Sequence, residues 1–224
     1  MALNELMGST EDRPGLVEAG RSIEMESFRI IDAEMGEHPF PEDQWQVVRR
    51  VIHTTGDFDY ARQIRFHPRA VASGVAALTR GASIFADTRM IAVGLSPWRL
   101  QWYGNEAVVP ALHPESRIRA EEQGVTRSVA AFRGVSDQLN GAVVAIGNAP
   151  TALLEVLRLI REDGVRPALV IGVPVGFVQA AESKDQLQRM TDQPAIAVLG
   201  RKGGSSVAVA ILHALLELAG NVNQ

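Results

Sequence analysis

Four short apolar runs constrain this chain most: "ASIFAD" (82–87), "AVVAIG" (142–147), "ALVIGV" (168–173) and "AIAVLG" (195–200). Each is nearly unbroken and each has Gly or Asp at or next to its end. A strand with one wet face alternates apolar and polar residues; an unbroken run is a strand buried on both faces, as in a parallel sheet covered by helices. Between the runs lie helix-patterned stretches, "TALLEVLRLIRED" (151–163), "AAESKDQLQRMTD" (180–192) and "SSVAVAILHALLELAG" (205–220). Strand and helix in alternation predict an α/β fold with helices on both faces of a mainly parallel sheet. "NEAVVPAL" (105–112) supplies a fifth strand.

The N-terminal part reads as helical. Residues 1–18 are expected to form a mobile tail, and 19–224 a single α/β domain. From Arg21 to Met35, the side chains of Ile23, Phe28, Ile30, Ile31 and Met35 can share much of one helical face. "HPFPEDQWQVVRRVIH" (38–53) opens with prolines and acids, carries Trp45, Val48 and Ile52 as its stripe, and closes at Gly56. His67-Pro68 opens a further helix with Val71, Val75 and Leu78 inward and Gly81 beyond its end.

Composition narrows the function. A 46% hydrophobic content fills a core, so the bulk of the 224 residues is not disordered. No apolar run approaches the roughly 18–20 residues of a membrane span, and the first 20 residues lack the pattern of a signal peptide. Without cysteine there are no disulfides, thiolate metal sites or thiol nucleophiles, which fits a cytoplasmic protein. Lys and Arg number 22 against 26 Asp and Glu; the net charge of −4 argues against nucleic-acid or anionic-membrane partners.

In open parallel sheets, ligands bind beyond the carboxyl ends of the strands. Here those ends meet "DTRM" (87–90), "GNAPTA" (147–152), "GVPVGFV" (172–178) and "GRKGGSS" (200–206), all small, polar or turn-forming. Any one reads as a plain turn; four together point to a ligand edge. "GRKGGSS" lacks phosphate-loop spacing, no G-x-G-x-x-G opens a strand–helix unit, and no G-x-S-x-G elbow occurs. The five histidines are not paired as metal ligands, so neither metal nor cofactor is expected. What remains are groups for carboxylates: Arg127 in "GVTRS", Lys184 in "AESKD", and Arg201 and Lys202. A solvated surface charge is the plainer reading of Lys184 and Arg201, whereas Thr126 can cap the helix that Arg127 begins.

"RVIHTTGDF" (50–58) ends an apolar helix with His53 beside small polar residues. From the residues alone, a histidine capping the helix's last carbonyls ranks slightly ahead of a catalytic one. The order of "IEMESFRIID", "VIHTTGDF", "GASIFADTRM", "GVTRS", "AIGNAPTALLEVL", "IGVPVGFVQAAESK" and "GRKGGSSVAVAIL" changes that ranking. In order and spacing these motifs, from about Ser22 to Leu218, resemble the precorrin-8X methylmutase (precorrin isomerase) family.

The resemblance implies a three-layer flavodoxin-like fold, a homodimer and a place in cobalamin synthesis. The family moves a methyl group from C11 to C12 of ring C in a ring-contracted tetrapyrrole polycarboxylate. Its catalytic histidine falls on His53, as a proton donor that Thr54, Thr55 and Asp57 would orient. Arg127 would hold a propionate or acetate, with Thr126 beside it. Ser27 in "ESF" and Ser96 in "GLSP" match hydroxyl-bearing positions near the macrocycle, Ser96 replacing a common threonine. Asn148, with the helix start after "GNAP", would take another carboxylate, and Phe177 lies either against the ring or in the core. His213 stands where the family often has asparagine and reads as a packing or interface change. "GDFDYA" (56–61) looks more like the branch that uses cobalt-containing substrate. Two other readings are a non-catalytic tetrapyrrole carrier and an unrelated phosphotransferase; the missing phosphate motifs weigh against the second.

Overall fold

The computed structural model describes residues 14–221, with side chains from 20 to 220. The tail expected over 1–18 lies outside the described residues up to residue 13, and Pro14 already opens a helix. The chain divides into two compact units, Met1–Pro39 and Phe40–Gln224. The first contains α1 (Pro14–Met35). Phe28 and Ile31 are buried, whereas Ile23 and Ile30 are exposed, so the apolar face is narrower than the spacing suggested.

The second unit begins with α2 (Glu42–Thr55), α3 (Tyr60–Gln63), β1 (Ile64–Phe66), α4 (Ala70–Thr79) and β2 (Ile84–Ala86). Next come α5 (Arg89–Gly94), α6 (Pro97–Gln101), β3 (Ala107–Val108), α7 (Glu115–Gln123) and α8 (Arg127–Gly134). It closes with β4 (Val143–Ile146), α9 (Pro150–Glu162), β5 (Leu169–Gly172), α10 (Ala180–Gln188), β6 (Ala195–Val198) and α11 (Ser205–Asn221).

The sheet order is β1-β6-β5-β4-β2-β3. The five expected strands are all parallel, and their order is the doubly wound 2-1-3-4-5 of the flavodoxin-like class. β1 is a sixth, antiparallel strand on β6, with Ile64 opposite Val198 and Phe66 opposite Ile196. Its pattern is buried, exposed, half-buried, as suits an edge, whereas every residue of β2, β4, β5 and β6 is buried.

One face of the sheet carries α9 and α10. In α9, Leu153, Val156, Leu157 and Ile160 form the helical stripe, and all four are buried with Val144, Ile146 and Val170 beneath them. On the other face α11 packs against α2, α4 and α5. α11 is apolar nearly all round, because Val207, Ile211, Leu212, Leu215 and Leu216 are enclosed by strands and helices together. Such side chains each contribute about 1.5–3 kcal/mol on burial. Most of its apolar surface is covered within the one chain, with Val209 and Leu218 left half-buried. α2 packs against α11, where Arg50 pairs with Glu217, and Thr54 lines one cavity together with Ser206.

Candidate active site

α2 stops because Gly56 turns left-handed (φ 64°) and donates its N–H to the carbonyl of Ile52 at 2.7 Å. Trp45, Val48 and Ile52 are buried, and His53 emerges exposed on the final turn. The partial negative charge of a helix C-terminus favours a cation there. The hydroxyls of Thr54 and Thr55 donate to the carbonyls of Arg50 and Val51, at 2.9 and 2.8 Å, so their protons are not directed at the ring. Asp57 is also engaged: it accepts from the Asp59 N–H at 2.9 Å and from Lys202 Nζ at 2.6 Å. The Lys202 hydrogen bond first, then the Asp59 N–H, hold the Asp57 carboxyl below the usual carboxylate range.

Lys202 therefore belongs to the His53 segment. Its ammonium also reaches Asp59 at 3.0 Å and lies 5.6 Å from the centre of the Tyr60 ring. The loop that carries it runs tight against the loop after β5. Gly203 (φ 150°) lies where a Cβ would come 2.1 Å from the carbonyl oxygen of Val173, so only glycine fits. Beside it, Phe177 is 82% exposed, which removes the core reading, and the Arg201 guanidinium lies 5.1 Å from its ring centre.

Lys184 corrects the sequence reading. It is neither a surface charge nor a free carboxylate ligand: its side chain has no exposure at all. Its ammonium donates to the carbonyls of Pro174, at 2.9 Å, and Lys202, at 2.8 Å. Burial lowers its pKa to about 8.

The switch point of the sheet lies between β2 and β4, where this fold class commonly takes ligands. Here the chain fills it with its own acid. Asp87, directly after β2 and 5% exposed, accepts the N–H groups of Gly147 (3.0 Å), Asn148 (2.8 Å) and Ala149 (2.6 Å). Burial raises its pKa, and those N–H groups oppose the rise without cancelling it. The N–H groups of Gly147, Asn148 and Ala149 are thus taken by Asp87 and are not open to a substrate carboxylate. The Asn148 side chain remains exposed on the rim.

Next to Asp87, Thr88 caps α5 and pairs with Ser205 at 3.0 Å, joining the loops after β2 and β6. Further along, Thr126 caps α8 through the Val129 N–H, as expected, and meets Thr151 at 3.3 Å. Arg127 is exposed and anchored by one nitrogen: Nε donates to the buried Ser116 at 3.0 Å, and no protein partner among the described residues meets the two terminal nitrogens. The sequence-predicted residues His53, Asn148, Thr126 and Arg127 therefore lie on segments bonded edge to edge. Ser27 is on α1, in the first unit, where its hydroxyl donates to the Ile23 carbonyl at 3.0 Å.

His213 has a structural task. Its Nε2 accepts the N–H of Ser96 at 3.0 Å, at the start of α6. Glu217, one turn on, takes both Arg50 and Arg99, fastening α2 and α6 to α11. A cavity of about 260 Å³ opens between Arg50, Thr54, Met90, Ser206, Val209 and His213, next to the helix end that carries His53. Sequence reasoning missed Asp87 and the Lys202–Asp57 pair. The signal for the first is an acid placed directly after a fully buried strand, opposite a loop of small residues.

Comparison with known proteins identifies the family. The family model for precorrin-8X methylmutase matches residues 22–218. A cobalt-precorrin-8 methylmutase of Leptospira interrogans is 46% identical over 207 residues, covering 89% of this chain and 94% of its own. A precorrin-8X methylmutase of a Sinorhizobium species is 43% identical over 197 residues, covering 88% and 93%. The crystal structure of precorrin-8x methyl mutase from Thermus thermophilus superposes with a TM-score of 0.84 at 47% identity, covering 91% of this chain and all of that one. With the match spanning nearly the whole chain, the protein belongs to the precorrin-8X methylmutase family.

Proposed function

We propose that this chain is the isomerase that moves a methyl group from C11 to C12 of ring C in precorrin-8X or its cobalt form. The products are hydrogenobyrinic or cobyrinic acid, in cobalamin biosynthesis. The observation that carries this reading is His53, exposed at the capped end of a helix whose apolar stripe is buried, and tied through the Asp57–Lys202 pair to the ligand edge of the sheet. Relatives named for the cobalt and the cobalt-free substrate are similarly close, so the reading rests on the ring chemistry the two share.

The reaction is an internal rearrangement and leaves the atom count and the oxidation level of the substrate unchanged. His53, as imidazolium, gives a proton to the conjugated ring system; the cationic system lets the methyl group migrate from C11 to C12; the proton then returns to the imidazole. An imidazole, a donor when protonated and an acceptor when neutral, suits a proton lent and taken back. The substrate brings several carboxylates, which we assign to the free fork of Arg127 with Thr126 and to the Asn148 side chain; Ser96 is placed near the macrocycle, and Ser27 follows the family resemblance alone. We further propose a homodimer. Exposed Met90, Val93, Trp98 and Trp102 on α5 and at α6 provide an apolar face for a second copy. No helix of the described residues is long and apolar enough to cross a membrane; a cytoplasmic setting fits the absence of cysteine.

The test is single-turnover conversion, followed by the absorption change to the corrin chromophore. His53→Ala should bind within a few-fold of wild type and turn over about 10²–10⁴ times more slowly. The wild-type rate should fall as pH rises, because only the imidazolium donates. Normal turnover in the variant reduces His53 to a helix cap, and wild-type binding without the spectral change makes the protein a carrier.

A further inference from the structure

A lysine with no solvent exposure is uncommon, because burying its charge costs free energy unless the ammonium is well paired. Lys184, on α10, meets this condition without a carboxylate: two backbone carbonyls accept its protons. The two carbonyls belong to different loops. Pro174 lies in the loop after β5, three residues before the exposed Phe177; Lys202 lies in the loop after β6. The lowered pKa of about 8 still leaves Lys184 mostly protonated at neutral pH.

We propose that Lys184 is a positioning residue for the reaction: its buried ammonium joins the loops after β5 and β6, and so holds the Lys202 side chain against Asp57, in the segment that follows His53. This rests on the reading of His53 as the proton donor. The connection is short and each link is a hydrogen bond. Lys184 holds the Lys202 carbonyl at 2.8 Å, and the Lys202 ammonium holds Asp57 at 2.6 Å and Asp59 at 3.0 Å. A second tie runs in parallel: Gly176 donates its N–H to the Arg201 carbonyl at 3.2 Å, and Gly204 donates to the Val173 carbonyl at 2.8 Å. These backbone bonds survive a change at position 184. What the ammonium alone supplies is attraction on the Pro174 and Lys202 carbonyls, which point to one place only while a cation sits between them.

Lys184→Met keeps the length and apolar stem but removes the donors. Leu187→Ala serves as a control: it lies on the same helix, is 1% exposed, and loses core packing alone. Two quantities are read beside the thermal midpoint: the single-turnover rate on the tetrapyrrole, and the titration of the Asp57 carboxyl by NMR. In Lys184→Met, Asp57 should titrate higher, toward the ordinary carboxylate range, as Lys202 loosens. Turnover should fall by about 10–100-fold, the usual effect of a displacement near 1 Å at a catalytic geometry. Leu187→Ala should lose stability yet keep the wild-type Asp57 titration. Lys202→Met, at a half-buried position, should raise the Asp57 titration by itself, and adding Lys184→Met to it should move it no further. Lys184→Met with the Asp57 titration and the rate of the control overturns the proposal, as does additivity in the double variant. A wild type that leaves the tetrapyrrole unchanged overturns the isomerase reading instead, and the Asp57 titration still decides whether Lys184 sets the pair.

Discussion

Replacing Asp87 tests how the switch point of the sheet is closed. Asp87→Ala removes an acceptor from three N–H groups, at 2.6, 2.8 and 3.0 Å. A hydrogen bond to a charged group nets about 1.5–3 kcal/mol, so three independent bonds would total roughly 4–9 kcal/mol. They are not independent, and the raised pKa of Asp87 shows that burying the charge takes part of that away. The expected loss is about 3–5 kcal/mol, most of it from the buried Gly147 N–H left unpaired. That is a large share of the roughly 5–15 kcal/mol of a typical domain. Urea unfolding followed by far-UV circular dichroism measures it, with an unchanged m-value as the check on two-state behaviour. The pH dependence has a definite sign. Because the folded carboxyl titrates above the unfolded one, the folded state holds a proton that the unfolded chain has lost, from about pH 4 upward. Wild-type stability due to this group therefore declines as pH rises through that window, and the gap to Asp87→Ala narrows. Acetate or sulfate should partly restore the thermal midpoint of the variant, by occupying the vacated N–H groups. A loss under about 1 kcal/mol, or a gap that widens with pH, would refute the reasoning.

Two further expectations concern the rim and the assembly. Arg127→Ala should weaken tetrapyrrole binding by about 1.5–3 kcal/mol, and wild-type affinity should decrease with added salt; titrations that show no change in the variant remove Arg127 from the site. Light scattering should give a dimer at micromolar concentration, and a monomer there contradicts the proposed apolar interface.

The parallel core was legible because burial on both faces leaves an unmistakable mark, as in "AVVAIG" and "ALVIGV". The caps at Gly56 and Thr126 were legible because each depends on one residue's own conformation or hydroxyl. β1 was not: three residues, "IRF", carry too little pattern, and their partner β6 is about 130 positions away. α5, α6 and α7 were missed, two of them for the same brevity. Lys184 and Asp87 were misread or overlooked for a different reason. A charged side chain looks solvated in sequence, and only the convergence of distant backbone groups, two carbonyls in one case and three N–H groups in the other, reveals that it is enclosed.

The packing of α2 against α11 has a consequence for the order in which the protein is made. His53 is synthesised early, but the helix that supports α2 begins at Ser205 and β1 has no partner until β6 exists. At a ribosomal rate of about 5–20 residues per second, the delay is about 8–30 seconds. Throughout that interval His53 sits on a helix without its floor, and the Lys202 carbonyl that Lys184 holds has not been made. The segment around His53 therefore gains its native surroundings only when the last helix of the chain is in place.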